Sequence, residues 1–349
     1  MRDSPIASGV LLAAASAISF GVTTPLIARL GAQVGPLTIA ALLYAGAALL
    51  SIVMRPFVAR SGRALTRAAL PRLFLIALFG AALAPTLLAW GLLRAGATSS
   101  SLVLNFEAVF TVLLARIVYG EHVGRRVAIA AFVMLVGGAL VGLDAARAWQ
   151  TVPIAGLAAV LAATASWAMD NTVTRGLAEE EPSDVVAAKG GLGAAVTACL
   201  ALVLGEPAPT RWAVLGLLVC GATGYGLSLR LYLLAQRRIG AVRTSSVFAT
   251  GPFVGAALAW MLGDRHAGPA TALGAIAFGV GVYLHLTERH SHVHVHAPVE
   301  HEHMHRHDDG HHEHVHEPAF AGEHSHPHRH ERTVHEHGHA PDIHHSHRH

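Results

Sequence analysis

Val118-Tyr-Gly-Glu-His122 and Met261-Leu-Gly-Asp-Arg265 are two versions of one element. Gly263 follows Gly120 by 143 positions, and in both places a Gly-acid pair closes one apolar run and precedes another with glycines of its own. These are Gly137-Gly138 in the first copy and Gly279 with Gly281 in the second. Carried backward, the same offset pairs Phe110 with Phe253 and Ser101 with Thr244. The chain up to about residue 287 therefore reads as a duplication.

A bilayer core about 30 Å thick takes about 20 apolar residues per helical span, and roughly ten such runs can be counted. They are Ile6–Leu30, Pro36–Met54, Pro71–Leu93, Ala97–Tyr119, Val123–Leu143, Val152–Thr174, Ser183–Leu204, Trp212–Ala235, Gly240–Leu262 and Gly268–Leu286. The first has no basic cluster before it and no clear cleavage site, so it reads as a span rather than a signal peptide. Five spans per copy is an odd number, so the second copy enters the membrane upside down. Inverted repeats of this kind are a transporter architecture, with the substrate site near the midplane between the halves. The expected fold is an all-α integral membrane protein: one five-span repeat over 6–143, a second over 152–287, and a disordered tail over 288–349.

Composition agrees. Of 349 residues, 53% are hydrophobic and 13% charged, about half the charged share of ordinary soluble domains, about 25%. The mean hydropathy is +0.47 even with a polar tail included. The net charge of +3 conceals a division, because from Glu288 onward 11 acidic residues face 5 arginines while the remainder is basic. The arginines of that remainder sit between apolar runs with no basic stripe, which excludes a nucleic-acid partner. Arg55, Arg60, Arg63, Arg67 and Arg72, then Arg125 and Arg126, then Arg237, Arg238 and Arg243 occupy alternate loops. The positive-inside rule puts those loops, and with them both termini, in the cytoplasm of a bacterial-type inner membrane. Trp90, Trp149, Trp212 and Trp260 then fall near the other face, as an aromatic belt would. Cys199 and Cys220 lack the spacing of a disulfide scaffold, zinc ribbon or redox motif and read as packing residues.

The Gly-Glu and Gly-Asp elements, Pro252 in the segment before the second, and the closing glycine-rich helix resemble the paired EamA domains of the drug/metabolite transporter superfamily. The resemblance covers about residues 8–287 and implies a secondary transporter of small molecules. The first copy departs from the usual pattern, with Glu107-Ala108-Val109 where the second has Thr250-Gly251-Pro252. Trp167-Ala-Met-Asp-Asn-Thr-Val-Thr-Arg175 is similar to one bacterial branch in which histidine-rich tails recur.

Ionisable groups inside spans cost about 2.5–3.5 kcal/mol on insertion scales and are functional hypotheses. Glu107, in Asn105-Phe-Glu107, lies near the middle of the fourth span, too deep for its short side chain to reach either surface. Its role would be to bind a proton or cation alternately from the two faces; the structural alternative is a neutral carboxyl bonded to a neighbouring helix. Asp170 and Asn171 lie about a turn inside the sixth span, Lys189, the only lysine, inside the seventh, and Arg230 inside the eighth. With Asn105 and Glu107 these four mark a transport path; equally, Asp170, Lys189 and Arg230 form a buried charge network that locks helices together, or simply snorkel. Pro25, Pro85 and Pro252 interrupt spans, and the glycine pairs at 138/142 and 251/255 permit close helix approach.

Of 26 histidines, 23 fall at or beyond His290. They recur at every second position in His290, His292, His294 and His296, in His301, His303, His305 and His307, and in His324, His326, His328 and His330, with His311, His312, His314 and His316 between. Neutral imidazole suits Zn, Ni, Co and Cu, so the tail is expected to bind such ions, although the bundle requires no cofactor. The tail has too few apolar residues for a core. With no Walker motif, nucleophile–base pair or metal triad in sight, the expected function is gradient-driven export of a divalent transition metal or metal-linked molecule. The alternatives are export of an amino acid or other metabolite with a regulatory tail, and a membrane-anchored metal buffer or sensor. The expected partners are the lipid bilayer, the transported small molecule or metal ion and, as a further option, a second copy of the chain.

Overall fold

The computed structural model describes residues 5–57, 62–119, 124–148, 152–177, 180–239, 244, 247–264, 268–286, 290–295, 299–305, 324–330 and 334–339. Glu121, Trp149 and the histidines at 296, 307, 311, 312, 314 and 316 lie outside the described residues. The chain divides into two units, one reaching to Glu288 and the other spanning Arg289–Ala340.

The first unit is all helix. α1 (Pro5–Leu30) and α2 (Pro36–Met54) are followed by a rod of three parts: α3 (Leu70–Ile76), a wide π turn (Ala77–Leu83) and α4 (Ala84–Ala95). α5 (Ala97–Val103) and α6 (Phe106–Tyr119) divide the next span, then come α7 (Arg125–Ala148) and α8 (Val152–Thr174). The second copy continues with α9 (Pro182–Val203), then α10 (Arg211–Cys220), a second π turn (Gly221–Leu227) and α11 (Ser228–Ile239), and closes with α12 (Gly251–Met261) and α13 (Pro269–Leu286). Among the described residues seven helices are long and apolar enough to cross a membrane; α12 and α13 are shorter apolar helices. Exposed Leu11, Val53, Phe74, Ile117, Phe132 and Leu202 leave an apolar surface suited to lipid.

The boundaries fall close to those read from the sequence, with instructive exceptions. The fourth span is not continuous: the backbone turns at Leu104-Asn105 before α6 begins. The ninth has the matching turn at Ala249-Thr250 before α12. Discontinuous helices at the centre of a membrane protein survive only where protein buries the interrupted backbone. The third and eighth spans each contain one π turn, Ala77–Leu83 and Gly221–Leu227, at corresponding places in the two copies. The packing is paired in the same way: α2 lies on α9 and α7 on α13, while the α4/α8 contact is mirrored by α1/α11 and the α6/α8 contact by α1/α12.

Arg55 pairs with Asp184 at 3.3 Å, Arg72 bonds the Gly176 carbonyl at 3.2 Å, and Arg237 bonds the Glu180 carbonyl at 2.8 Å. One end of the bundle is thus an arginine face. The α3–α4 rod and α9 run from it to the opposite face and α2 runs back toward it, so that opposite face bears Thr38, Ala95 and Glu206.

In the second unit β1 (His290–Val295) pairs antiparallel with β4 (Val334–His339), and β2 (Val299–His305) with β3 (His324–His330). The register sets His290, His292 and His294 opposite His339, His337 and His335, and His301, His303 and His305 opposite His328, His326 and His324. His330 stands opposite Val299.

Candidate transport site

Glu107 occupies the first turn of α6, where the turn at Leu104-Asn105 has created a helix N-terminus inside the span. The N–H groups there are taken up by the preceding turn, Glu107 N bonding the Leu104 carbonyl at 3.0 Å and Ala108 N the Asn105 carbonyl at 3.2 Å, so the carboxylate is left to side chains. Asn171, on α8, donates its amide to Glu107 Oε1 at 2.6 Å. The sequence placed Asn171 nearer the arginine face than Glu107; the hydrogen bond brings the two together.

One residue earlier, Asp170 is paired with Lys189 of α9, and both are almost fully buried, at 4% and 3% exposure. The Thr174 hydroxyl donates to the other Asp170 oxygen at 3.3 Å. A buried pair with this support is a fixed element; removing one partner leaves an uncompensated charge in a medium that solvates it poorly. Arg230 does not join it. Its guanidinium bonds the Ser183 hydroxyl at the start of α9, so the expected three-residue network is one ion pair and a separate tether. Asn105 is 2% exposed, donates to the Leu102 carbonyl at 3.0 Å, and keeps its own amide oxygen without a partner.

The π turn explains why Asp170 fits. Gly80 lies within it, and a Cβ added there would strike the Asp170 carboxylate. The carbonyl of Gly80 accepts both the Tyr44 hydroxyl and Trp167 Nε1, the latter at 3.1 Å. Around these groups Phe20, Trp167, Tyr225 and Phe248 form an aromatic cluster, with Phe20 5.9 Å from Trp167, 5.8 Å from Tyr225 and 5.5 Å from Phe248 between ring centroids. Tyr44 joins it through Tyr225 at 5.4 Å, and the Tyr225 hydroxyl is buried without a partner. In the opposite repeat Gly224 takes the place of Gly80, and a Cβ there would strike Thr23 instead of a carboxylate. The ionisable groups therefore stand on one side of a pseudo-symmetric centre.

Composition and spacing alone did not single out Tyr44, Gly80 or Tyr225. A signal existed, because Gly80 and Gly224 nearly match under the repeat offset. Among the described residues no three His, Cys, Asp or Glu side chains gather as metal ligands would.

Residues 7–143 and again 154–287 match the EamA-like transporter family. The chain belongs to that family. A relative from Methanothermobacter thermautotrophicus, described as an uncharacterized transporter, is 26% identical over 194 residues, covering 54% of this chain and 57% of the relative. The chain thus aligns with just over half the length of that relative. A solved crystal structure shares the fold with a TM-score of 0.59 and 19% identity, covering 80% of this chain and 98% of its own. This EamA-like chain is a multi-pass membrane protein, and the Glu107–Asn171 pair joins its interrupted fourth span to the first helix of the second repeat.

Proposed function

We propose that this EamA-like protein is an inner-membrane secondary transporter that exports a small organic metabolite by alternating access, with Glu107 as the group that binds proton and substrate in turn. The observation that carries this reading is the Glu107–Asn171 bond at 2.6 Å. Asp170 is balanced by Lys189, whereas Glu107 is held by a neutral amide, so its charge is left for a mobile partner to neutralise. The aromatic rings gathered around the Gly80 carbonyl offer an apolar wall, the usual lining of a small-molecule site. The alternating arginine loops support termini on the cytoplasmic side, where the histidine tail meets cytoplasmic metal and regulates the bundle.

Metal export remains a second reading, and the tail favours it: two ladders set three pairs of histidines opposite one another in each. The test compares cells lacking the gene with cells carrying the full chain, Glu107→Gln, or a chain ending at Leu286. Cellular Ni, Co, Zn and Cu are measured beside a metabolite survey of the medium. The metabolite reading expects an excreted compound that Glu107→Gln abolishes and truncation only modulates. Metal contents that follow Glu107 would replace it with the metal reading, and normal export by a well-expressed Glu107→Gln protein would overturn the role given to Glu107.

A further inference from the structure

Three carboxylates on the face opposite the arginines cap helix ends belonging to the other repeat. Glu206 accepts from Leu37 N at 3.1 Å, Thr38 N at 2.8 Å and the Thr38 hydroxyl at 2.7 Å. Asp144 Oδ2 accepts from Thr271 N at 2.6 Å. Asp264 Oδ2 accepts from Thr98 N at 2.8 Å, and its backbone carbonyl accepts the Thr98 hydroxyl at 3.4 Å. Each places negative charge where the helix end is positive.

The three are not equivalent. Glu206 follows α9 and caps α2, and Asp144 ends α7 and caps α13; these are the two helix pairs that pack most extensively. Such caps tie partners that travel together. Asp264 follows α12 and caps α5, a short helix of the first repeat that leads from α4 into α6. The α3–α4 rod, α6 and α8 pack on one another, as do α1, α11 and α12. The α2/α9 pair packs against both groups, and toward the face opposite the arginines α5 lies on α12 and α1 while also touching α4 and α8. Toward the arginine face, the ends of α8 and α11 border a small pocket, with room for about one water, lined by Thr174, Leu177, Val185, Leu233 and Gln236.

The α5/α12 contact is tight and polar. A Cβ built on Gly255 of α12 would stand 3.0 Å from Ser101 Oγ of α5 and 2.9 Å from the Gly21 carbonyl oxygen of α1, so only glycine lets α12 lie this close to both helices. Ser100 and Ser101 are fully buried in α5, and their hydroxyls have no partner in this arrangement. Hydroxyls left unsatisfied when a seam is shut regain water when it opens, which keeps the closed form from being too stable to leave.

We propose that Ala97–Val103 against Gly251–Met261 is the gate on this face, closed in the present conformation, and that Asp264 is its latch. The Gly263-Asp264 element that marks the end of the second repeat's fourth helix thereby acquires a task. The carboxylate holds the start of α5 by a charge-assisted bond and lets it go when the two helix groups part. The place of this opening in a transport cycle rests on the function proposed above; the latch itself does not.

The test needs no substrate. Ser101→Cys is introduced into a chain carrying Cys199→Ser and Cys220→Ala, the protein is placed in lipid nanodiscs, and its reaction with a charged methanethiosulfonate is timed. With Asp264 present, slow labelling is expected. Asp264→Ala is expected to speed it by about tenfold, and Asp264→Glu to restore the slow rate, which a general loss of packing would not. Where Asp264→Ala does not fold, the isosteric Asp264→Asn serves, with an expected acceleration of about threefold. Equal labelling rates with and without the carboxylate in folded protein would overturn the latch. A silent Glu107→Gln would overturn the transport role and leave this result standing.

Discussion

Asn171 and Glu107 lie 64 positions apart in the chain and meet through a 2.6 Å hydrogen bond between α8 and α6. The contact joins the first helix of one repeat to the interrupted fourth helix of the other. It aims the carboxylate by a bond that a neutral amide can make to either its charged or its protonated form, which suits a group that must change state.

Replacing Asn171 is therefore expected to impair transport more than folding. A hydrogen bond to a charged group is worth about 1.5–3 kcal/mol, so Asn171→Ala is expected to slow export by about ten- to a hundredfold with near-normal membrane expression. Asn171→Asp, which sets a second carboxyl against Glu107, is expected to be worse. Export of the compound identified in the metabolite survey measures both, and wild-type rates in Asn171→Ala would contradict the aiming role.

The Asp170–Lys189 pair is expected to behave as one structural unit. Removing one member of a buried pair costs about 3–5 kcal/mol, while replacing both by neutral groups of similar volume is often tolerated. Asp170→Asn and Lys189→Met should each lower the melting temperature of the purified protein markedly. The double variant should recover most of that loss, and a double variant as unstable as the sum of the singles would refute the pairing.

Gly80 tests the packing beneath this pair. A methyl group there would collide with the Asp170 carboxylate, and overpacking of this kind costs about 1–3 kcal/mol. Gly80→Ala is expected to be less stable by that amount, while Gly80→Ala combined with Asp170→Gly, which clears the space, is expected to lose less than Asp170→Gly and Gly80→Ala separately. Thermal melts of the three variants make the comparison.

The tail is expected to account for metal retention. A chain ending at Leu286 should lose binding to immobilised Ni and Zn while folding as a bundle, measured by isothermal titration and size-exclusion chromatography. Strong metal binding by the truncated chain would move the metal site into the membrane region.

The span count, the duplication, the family and the suspicion attached to Glu107 could all be read from the chain. These rest on periodic or local quantities: twenty apolar residues fill a bilayer wherever they occur, a repeat is visible as an offset, and a carboxyl in the middle of an apolar run is costly in any fold. Asp170, Asn171, Lys189 and Arg230 were legible as candidates, but their connections were not. Separation in sequence carries no information on which faces of α6, α8 and α9 meet, so Asn171 went to Glu107 and Arg230 went to Ser183. Nor could hydropathy find the interruption at Leu104-Asn105, since the broken span is as apolar as an unbroken one.

By itself, then, the sequence determined that this chain crosses a membrane as two related halves and carries one carboxylate without an obvious companion. Only the tertiary structure decided which charges neutralise one another, where π turns open room for them, and that Asp264 caps α5 at Thr98. The physical reason is range. Hydrophobic burial and helix formation are set by neighbours a few residues away, whereas an ion pair, a cap or a gate exists only when two distant segments arrive at the same place.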